Sequence, residues 1–245
     1  MSEDNPESQK KNYNIFKKEL SSIIKKEEEP LLPKRAYSIL RYAIRNLLLD
    51  PGQNVLEREM AEMLDMSRIP LKEALVRLQT EGLIHIVPRR GFTVKTIEAK
   101  ELEEIYEIAE NLDGLATELA TKKVQETEIH YLENIIKKQK IALQCNKLEE
   151  WSKLDDQFHS HIIDLANNYH LKKNINMYTD HLYRARLYTI NYRPTPYHSI
   201  TEHQAILKCM EAQNYESAKL MMQSHRKRAK KVILKALNER NLMNE

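Results

Sequence analysis

Four glycines, three phenylalanines, two cysteines and one tryptophan in 245 residues leave several protein classes with little to build on. Scarce glycine beside abundant Leu, Ile, Lys and Glu disfavours a turn-rich β protein and favours a mostly helical one. Two cysteines, Cys145 and Cys209, make no disulfide framework and read as free thiols of a reducing cytosol. No apolar run approaches the length of a membrane span, about 18 residues or more. The opening stretch MSEDNPESQKKNYN lacks the apolar region of a secretory signal. A cytoplasmic chain with no membrane partner is the expectation. Its length suits two modest domains or one large one, and its 41% apolar content is enough for a packed core.

The formal charge of +3 is unevenly placed. Residues 1–29 hold six Lys and seven acids, and residues 98–245 hold 22 residues of each sign. Residues 30–97 hold eleven Lys and Arg against seven acids, so the excess sits there. Such a segment suits contact with phosphate. Residues 1–29 read as a flexible tail, with a helix expected around Phe16–Ile24.

From Leu32 onward Ala36, Ile39, Leu40, Ala43, Ile44 and Leu47 recur at three and four, which predicts one helix face. Asp50-Pro51-Gly52 ends it as a turn. A short helix follows with Met60, Ala61 and Leu64 inward, then a tight connection at Asp65-Met66. Ser67 stands where a cap belongs, and Pro70 falls in the first turn of a third helix. Leu71, Ala74, Leu75 and Leu78 form its buried face, and Gly82 suits the position after its end. Residues 83–87 and 92–94 read as strands joined through Pro88-Arg89-Arg90-Gly91. Three helices and a β-hairpin wing make a winged helix-turn-helix over residues 30–97. Arg68 and Lys72 lie one turn apart near the start of the third helix, and Arg89 and Arg90 lie at the wing tip, where such a fold meets DNA. Residues 98–245 carry no further strand signal. Helices are predicted over 98–121, 127–146, 148–167, 170–191, 198–212 and 214–238, an all-α second domain.

The stretches LEREMAEMLDMSRIPLKEALVRLQTEGLI and PRRGFTV resemble the GntR superfamily of bacterial transcription regulators. DDQFHSHI and EHQAILKCMEAQNYESAKLMMQSH are similar to the FadR-like branch, whose C-terminal domain is of the FCD type. The resemblance implies a homodimer that grips a double-stranded operator with an inverted repeat and responds to a small metabolite, often a carboxylate. It implies DNA contacts by Arg58, Arg68 and Lys72, with Ser67 at the helix entrance and Arg89, Arg90 and Gly91 in a wing that reaches the minor groove. Lys72 stands where the family usually has Arg. Arg holds guanine with two parallel bonds, whereas Lys is a point charge.

Asp155 and His159 are four apart and share a helix face, and His203 and His225 lie on later helices. Three imidazoles and a carboxylate form a plausible set for Zn, Ni, Co, Mn or Fe, although a single histidine is more often a surface or core residue than a ligand. Asp-x-x-x-His, then His, then His 22 residues on matches the ligand pattern the FCD resemblance implies. A divalent ion, Zn or Ni, held by Asp155, His159, His203 and His225 is the expectation, with His161 and His181 outside the set. Ala109 stands where many FCD-type proteins carry an effector-pairing Arg, so Arg184 and Arg186 are candidate effector contacts, with a solvated face the competing reading. The expected function is a metabolite-controlled DNA-binding regulator and not an enzyme. The alternatives are a regulator that senses the metal itself and a metal-dependent hydrolase. The second lacks a separate base near the ligands and a glycine-rich phosphate loop, and it gives an Arg-Arg-Gly wing no role.

Overall fold

A computed structural model describes residues 29–244. Almost all of the expected tail, with its helix near Phe16–Ile24, lies outside the described residues. The chain forms two compact units that divide between Thr96 and Ile97.

In the first unit α1 (Leu32–Arg45) buries Ala36, Ile39, Leu40, Ala43 and Ile44, and it packs on α3 (Arg68–Thr80). The apolar period predicts that Leu47 continues this face, but the helix stops at Arg45. Leu47 turns left-handed at φ 57°, and Leu49 fills the core position instead. The short α2 (Glu57–Met63) buries Met60 and Ala61, with Leu64 just beyond its end. Asp65 at φ 50° makes the tight connection. Ser67 occupies the cap position of α3, but its hydroxyl makes no capping hydrogen bond. Gly82, at φ 72°, ends α3 where a side chain would strain the backbone.

The wing has one strand more than the sequence pattern suggests. β1 (Asn54–Leu56) and β2 (Ile84–Val87) both pair antiparallel with β3 (Gly91–Val94), giving the order β1-β3-β2. Three residues with only Val55 buried carry too little alternation to announce a strand. Gly91 faces Leu56 in this register, and a Cβ on it would lie 2.0 Å from the Val55 carbonyl oxygen. Gly91→Ala is therefore expected to push β1 off β3 and to destabilise this unit by about 1–3 kcal/mol or more. Thermal unfolding of the two proteins compares them, and an unchanged midpoint would contradict this account of the glycine.

The second unit is all helical, with α4 (Ala99–Thr121), α5 (Glu126–Gln144), α6 (Leu148–Leu165), α7 (Tyr169–Thr189), α8 (Tyr197–Glu211) and α9 (Tyr215–Asn244). A 3₁₀ turn over Ile190–Tyr192 follows α7. The starts fall within a residue of those predicted from apolar spacing, while α9 runs six residues past its predicted end at 238. Trp151, Phe158, Ile162, Ile206 and Met222 form part of one core cluster. That core sets the rotation of α6, α8 and α9 and so aims the polar residues they carry inward. No helix among the described residues is long and apolar enough to cross a membrane.

Candidate functional site

The first unit gathers the basic residues singled out from the sequence. Arg58, Arg68, Lys72, Arg89 and Arg90 line one groove between α3 and the wing, floored in part by Val76 and Ile86. Ser67 lies in an adjoining depression with Arg58 and Arg68. Gly91 sits behind the tip, buried in close approach to β1. Arg58, Arg68 and Lys72 side chains are exposed at 70%, 61% and 64%. Glu57 organises the last two, its carboxylate lying 4.0 Å from Arg68 Nε and 3.9 Å from Lys72 Nζ, while Arg58 pairs with Glu62 at 3.8 Å. The Glu57 backbone N–H donates to the Arg90 carbonyl at 3.2 Å, tying the wing to α2. At the wing tip Arg89 adopts φ 63°, and the Arg90 N–H closes the turn on Val87 O at 3.1 Å.

The second unit brings His159 from α6, His203 from α8 and His225 from α9 together. One nitrogen of each lies within 4.8 Å of the others, and all three residues are buried. His159 Nε2 and His225 Nε2 are 3.2 Å apart. Phe158 stacks on His203 with ring centroids 4.2 Å apart and holds it in place. Two of the outer nitrogens are fixed by neighbours, while His159 Nδ1 is buried with no partner. His225 Nδ1–H donates to Glu202 Oε2 at 2.7 Å, and His203 Nδ1–H donates to Gln139 Oε1 at 2.9 Å. Gln139 is oriented in turn, because its Nε2 donates to the Leu154 carbonyl at 3.0 Å. These bonds select the tautomers that leave Nε2 lone pairs pointing inward, and His203 Nε2 is buried with no partner. Burial drives all three imidazoles toward the neutral form that binds metals. It pushes His203 down to about 3, helped by the neighbouring His225. His159 is lowered further by Arg226, while for His225 the Glu202 bond offsets part of the effect.

Asp155 borders the same cluster. Its Oδ1 is 3.6 Å from His203 Nε2, and its Oδ2 is 3.8 Å from His159 Nε2 and 2.8 Å from Arg186 Nη1. Burial alone would raise its pKa, but Arg186 and then the histidines outweigh burial and hold it below its ordinary value. The four residues thus meet in one buried place, and the donor set of three nitrogens and an oxygen fits a divalent ion such as Zn or Ni.

Arg184 and Arg186 separate. Arg186 lines a narrow cleft beside the histidines, together with Ala109, His159, Tyr178 and Arg226. Arg184 does not line it, and feels Asp180 and Glu101 instead. His161 pairs with Glu128 at 2.6 Å, outside the histidine group. Sequence reasoning missed Gln139, Glu202 and the Arg226–Asp113 pair, in which Nε and Nη2 both lie 2.6 Å from Oδ2. Glu202, next to His203, was open to suspicion as a neighbour of a candidate ligand. Gln139 lies 64 residues away from its partner and gave no local signal.

The electrostatics predict acid sensitivity. His203 has an ordinary value of 6.5 and a folded value of about 3, so between them the unfolded chain binds the extra proton. Stability therefore falls as pH drops below about 6.5. Glu202 acts in the same direction. Burial raises its pKa, but bonds from His225 and Arg228 prevail and lower it from 4.5 to about 2, so its contribution is lost as pH falls toward that value. The thermal midpoint of the metal-free protein is expected to decline steadily from about pH 7 to about pH 4. A flat profile over that range would contradict the buried neutral imidazoles.

A basic groove between a helix and a wing, joined to an all-helical unit with buried polar groups, defines a winged-helix DNA-binding transcription regulator. The comparisons make the class specific. Residues 32–94 match the bacterial regulatory proteins of the gntR family, and residues 104–228 match the FCD domain. The chain is 30% identical over 192 residues to the uncharacterized HTH-type transcriptional regulator YdhC of Bacillus subtilis, covering 77% of this chain and 85% of that one. It is 25% identical over 192 residues to the HTH-type transcriptional repressor RspR of Escherichia coli, covering 78% and 84%. The solved structure of E. coli McbR/YncC shares the fold, with a TM-score of 0.73 and 21% identity over 82% of this chain and 96% of that one. The chain belongs to the GntR family with an FCD C-terminal domain. It is a transcription regulator of that type.

Proposed function

We propose that this protein is a homodimeric regulator that binds an operator with an inverted repeat and changes its grip when a small metabolite enters the cleft beside a divalent metal. Arg58, Arg68, Lys72, Arg89 and Arg90, with Ser67 at the helix entrance, form its DNA face. Asp155, His159, His203 and His225 hold the ion, Zn or Ni. The reading is carried by one observation: three buried imidazoles converge with two of their outer nitrogens tied to Glu202 and Gln139. When bound, the ion supplies positive charge and open coordination positions to an anionic ligand group.

This chain's own residues do the rest. Arg186 holds one oxygen of Asp155 and leaves the other toward His203. Arg186 and Arg226 face the cleft but already engage Asp155 and Asp113. With Ala109 at the position where many relatives carry an arginine, the cleft holds no dedicated cation on α4, so the ligand's acidic group must be met at the metal or by Arg186.

The test is operator affinity measured with metal-loaded and chelated protein, each with and without candidate carboxylates. A response to the metabolite only when metal is present supports the reading. Operator affinity that follows metal alone, with no metabolite effect, makes the ion itself the signal. That second reading draws on the burial of the cluster, and a tightly held ion counts against it.

A further inference from the structure

Helix α3 is apolar on two sides. Pro70, Leu71, Ala74, Leu75 and Leu78 face the core. On the opposite side Ile69 is 71% exposed and Val76 is 57% exposed. Positions seven apart on a helix differ by only about 20° around the axis, and Lys72 falls about 60° to one side of Ile69. Ile69, Lys72 and Val76 therefore share the outward face. Nothing within the fold accounts for isoleucine there. It touches no core, and a β-branched side chain is a poorer helix former than the Leu, Lys or Ala that an exposed position usually carries. An aliphatic side chain in that position contributes favourably only when another surface covers it.

The surroundings say by what. Arg68 precedes Ile69, Lys72 follows it by one turn, and Val76 lines the groove shared with Arg58, Arg89 and Arg90. The face thus combines an aliphatic strip with cations along one side and Glu73 about 40° to the other side of Ile69. The DNA major groove presents the matching surface: phosphates at its rims and, within it, the 5-methyl group of thymine, the one apolar group on a base edge there. Residues in the first turn of such a helix reach base edges, while those two turns later sit nearer the rim. Ile69 is in the first turn, and Val76 lies about 10 Å further along the axis.

We propose that Ile69 is a specificity-determining residue that reads the 5-methyl group of a thymine in each operator half-site. The inference rests on the groove being the DNA face. It adds an apolar readout to the charged contacts assigned there.

The experiment uses the full-length protein and an operator selected with it from random DNA. Each thymine of the half-site is replaced singly by deoxyuridine, which removes the methyl group and nothing else. One such replacement is expected to weaken binding by the wild type about fourfold, the worth of one buried carbon. Ile69→Ala is expected to weaken binding to the unmodified operator by up to about sixtyfold, having lost three such carbons, and by less where only some of them are covered. Against this variant the same deoxyuridine should have no further effect, and Ile69→Val should retain most of the discrimination. Neither variant should lose helical content or thermal stability, because the side chain is exposed and Ala is the better helix former. The proposal is overturned if every deoxyuridine weakens wild type and Ile69→Ala equally, or if the half-site contains no thymine whose methyl group matters. If Arg58→Ala and Arg68→Ala also leave affinity untouched, the groove is not the DNA face, and both readings fall together.

Discussion

Alanine at both His203 and His225 is expected to reduce bound metal from about one ion per chain to a trace. Those imidazoles supply two of the three converging nitrogens, and each is oriented by a partner on another helix. A single remaining imidazole beside Asp155 cannot hold a divalent ion against dialysis. The stability effect follows by mass action. An ion at about a thousand times its dissociation constant adds about 4 kcal/mol to the folded state, which for a chain of this size is about 8–16 °C in Tm. Removing two buried rings also leaves space in the core, so the informative quantity is the increment on adding metal, measured by calorimetry before and after loading. Wild type should show the increment, and the double variant should not. Operator binding without metabolite should stay within about twofold, because the substituted residues share no partners with the DNA face. What should disappear is the metabolite response. Full metal occupancy in the double variant would falsify the assembled site. Lost occupancy with an intact response would make the ion a strut between helices and move the metabolite elsewhere.

The parts of this site that were legible in the sequence are those whose signal is local. Asp155 and His159 announce themselves because four residues is one helical turn, and α6 is in fact a continuous helix across both. The third helix and the wing are legible because Gly82 marks a left-handed stop and Gly91 a place where a side chain does not fit. The spacing of His203 and His225 was matched to a family pattern, and only the fold brings them to His159. What stayed hidden depends on tertiary contact. β1 has no pattern of its own and exists because β3 offers it an edge. Gln139 becomes a partner of His203 only because α5 packs on α8. Arg184 and Arg186 look alike in the string HLYRARLYTI, yet two residues is about 200° around a helix, so one faces the cleft and the other does not. Leu47 fits the apolar period of α1, but the chain has already left the helix.

Operator affinity is expected to fall about a thousandfold or more between about 50 and 200 mM salt. The cause is the charge gathered around the groove. Arg58, Arg68, Lys72, Arg89 and Arg90 line it, and a dimer doubles the set. Each cation that meets a phosphate releases condensed counterions, and their dilution into higher salt sets the slope. Glu57 does not cancel this charge: it lies 3.9–4.0 Å from Lys72 and Arg68, whose side chains stay more than half exposed. Weak, exposed pairs of this kind are readily exchanged for phosphate. The individual residues should then separate by type of loss. Arg89→Ala at the wing tip should weaken specific and random DNA alike and reduce the salt slope by about one per protomer. Arg68→Ala, in the first turn of α3, should cost about 1–3 kcal/mol on the operator and far less on random DNA if it meets a base edge. Fluorescence anisotropy at several salt concentrations, with operator and scrambled duplexes, measures both quantities. Equal loss on the two duplexes for Arg68→Ala would assign that side chain to phosphate and leave base readout to its neighbours on the same face, while no loss at all would remove α3 from the DNA interface.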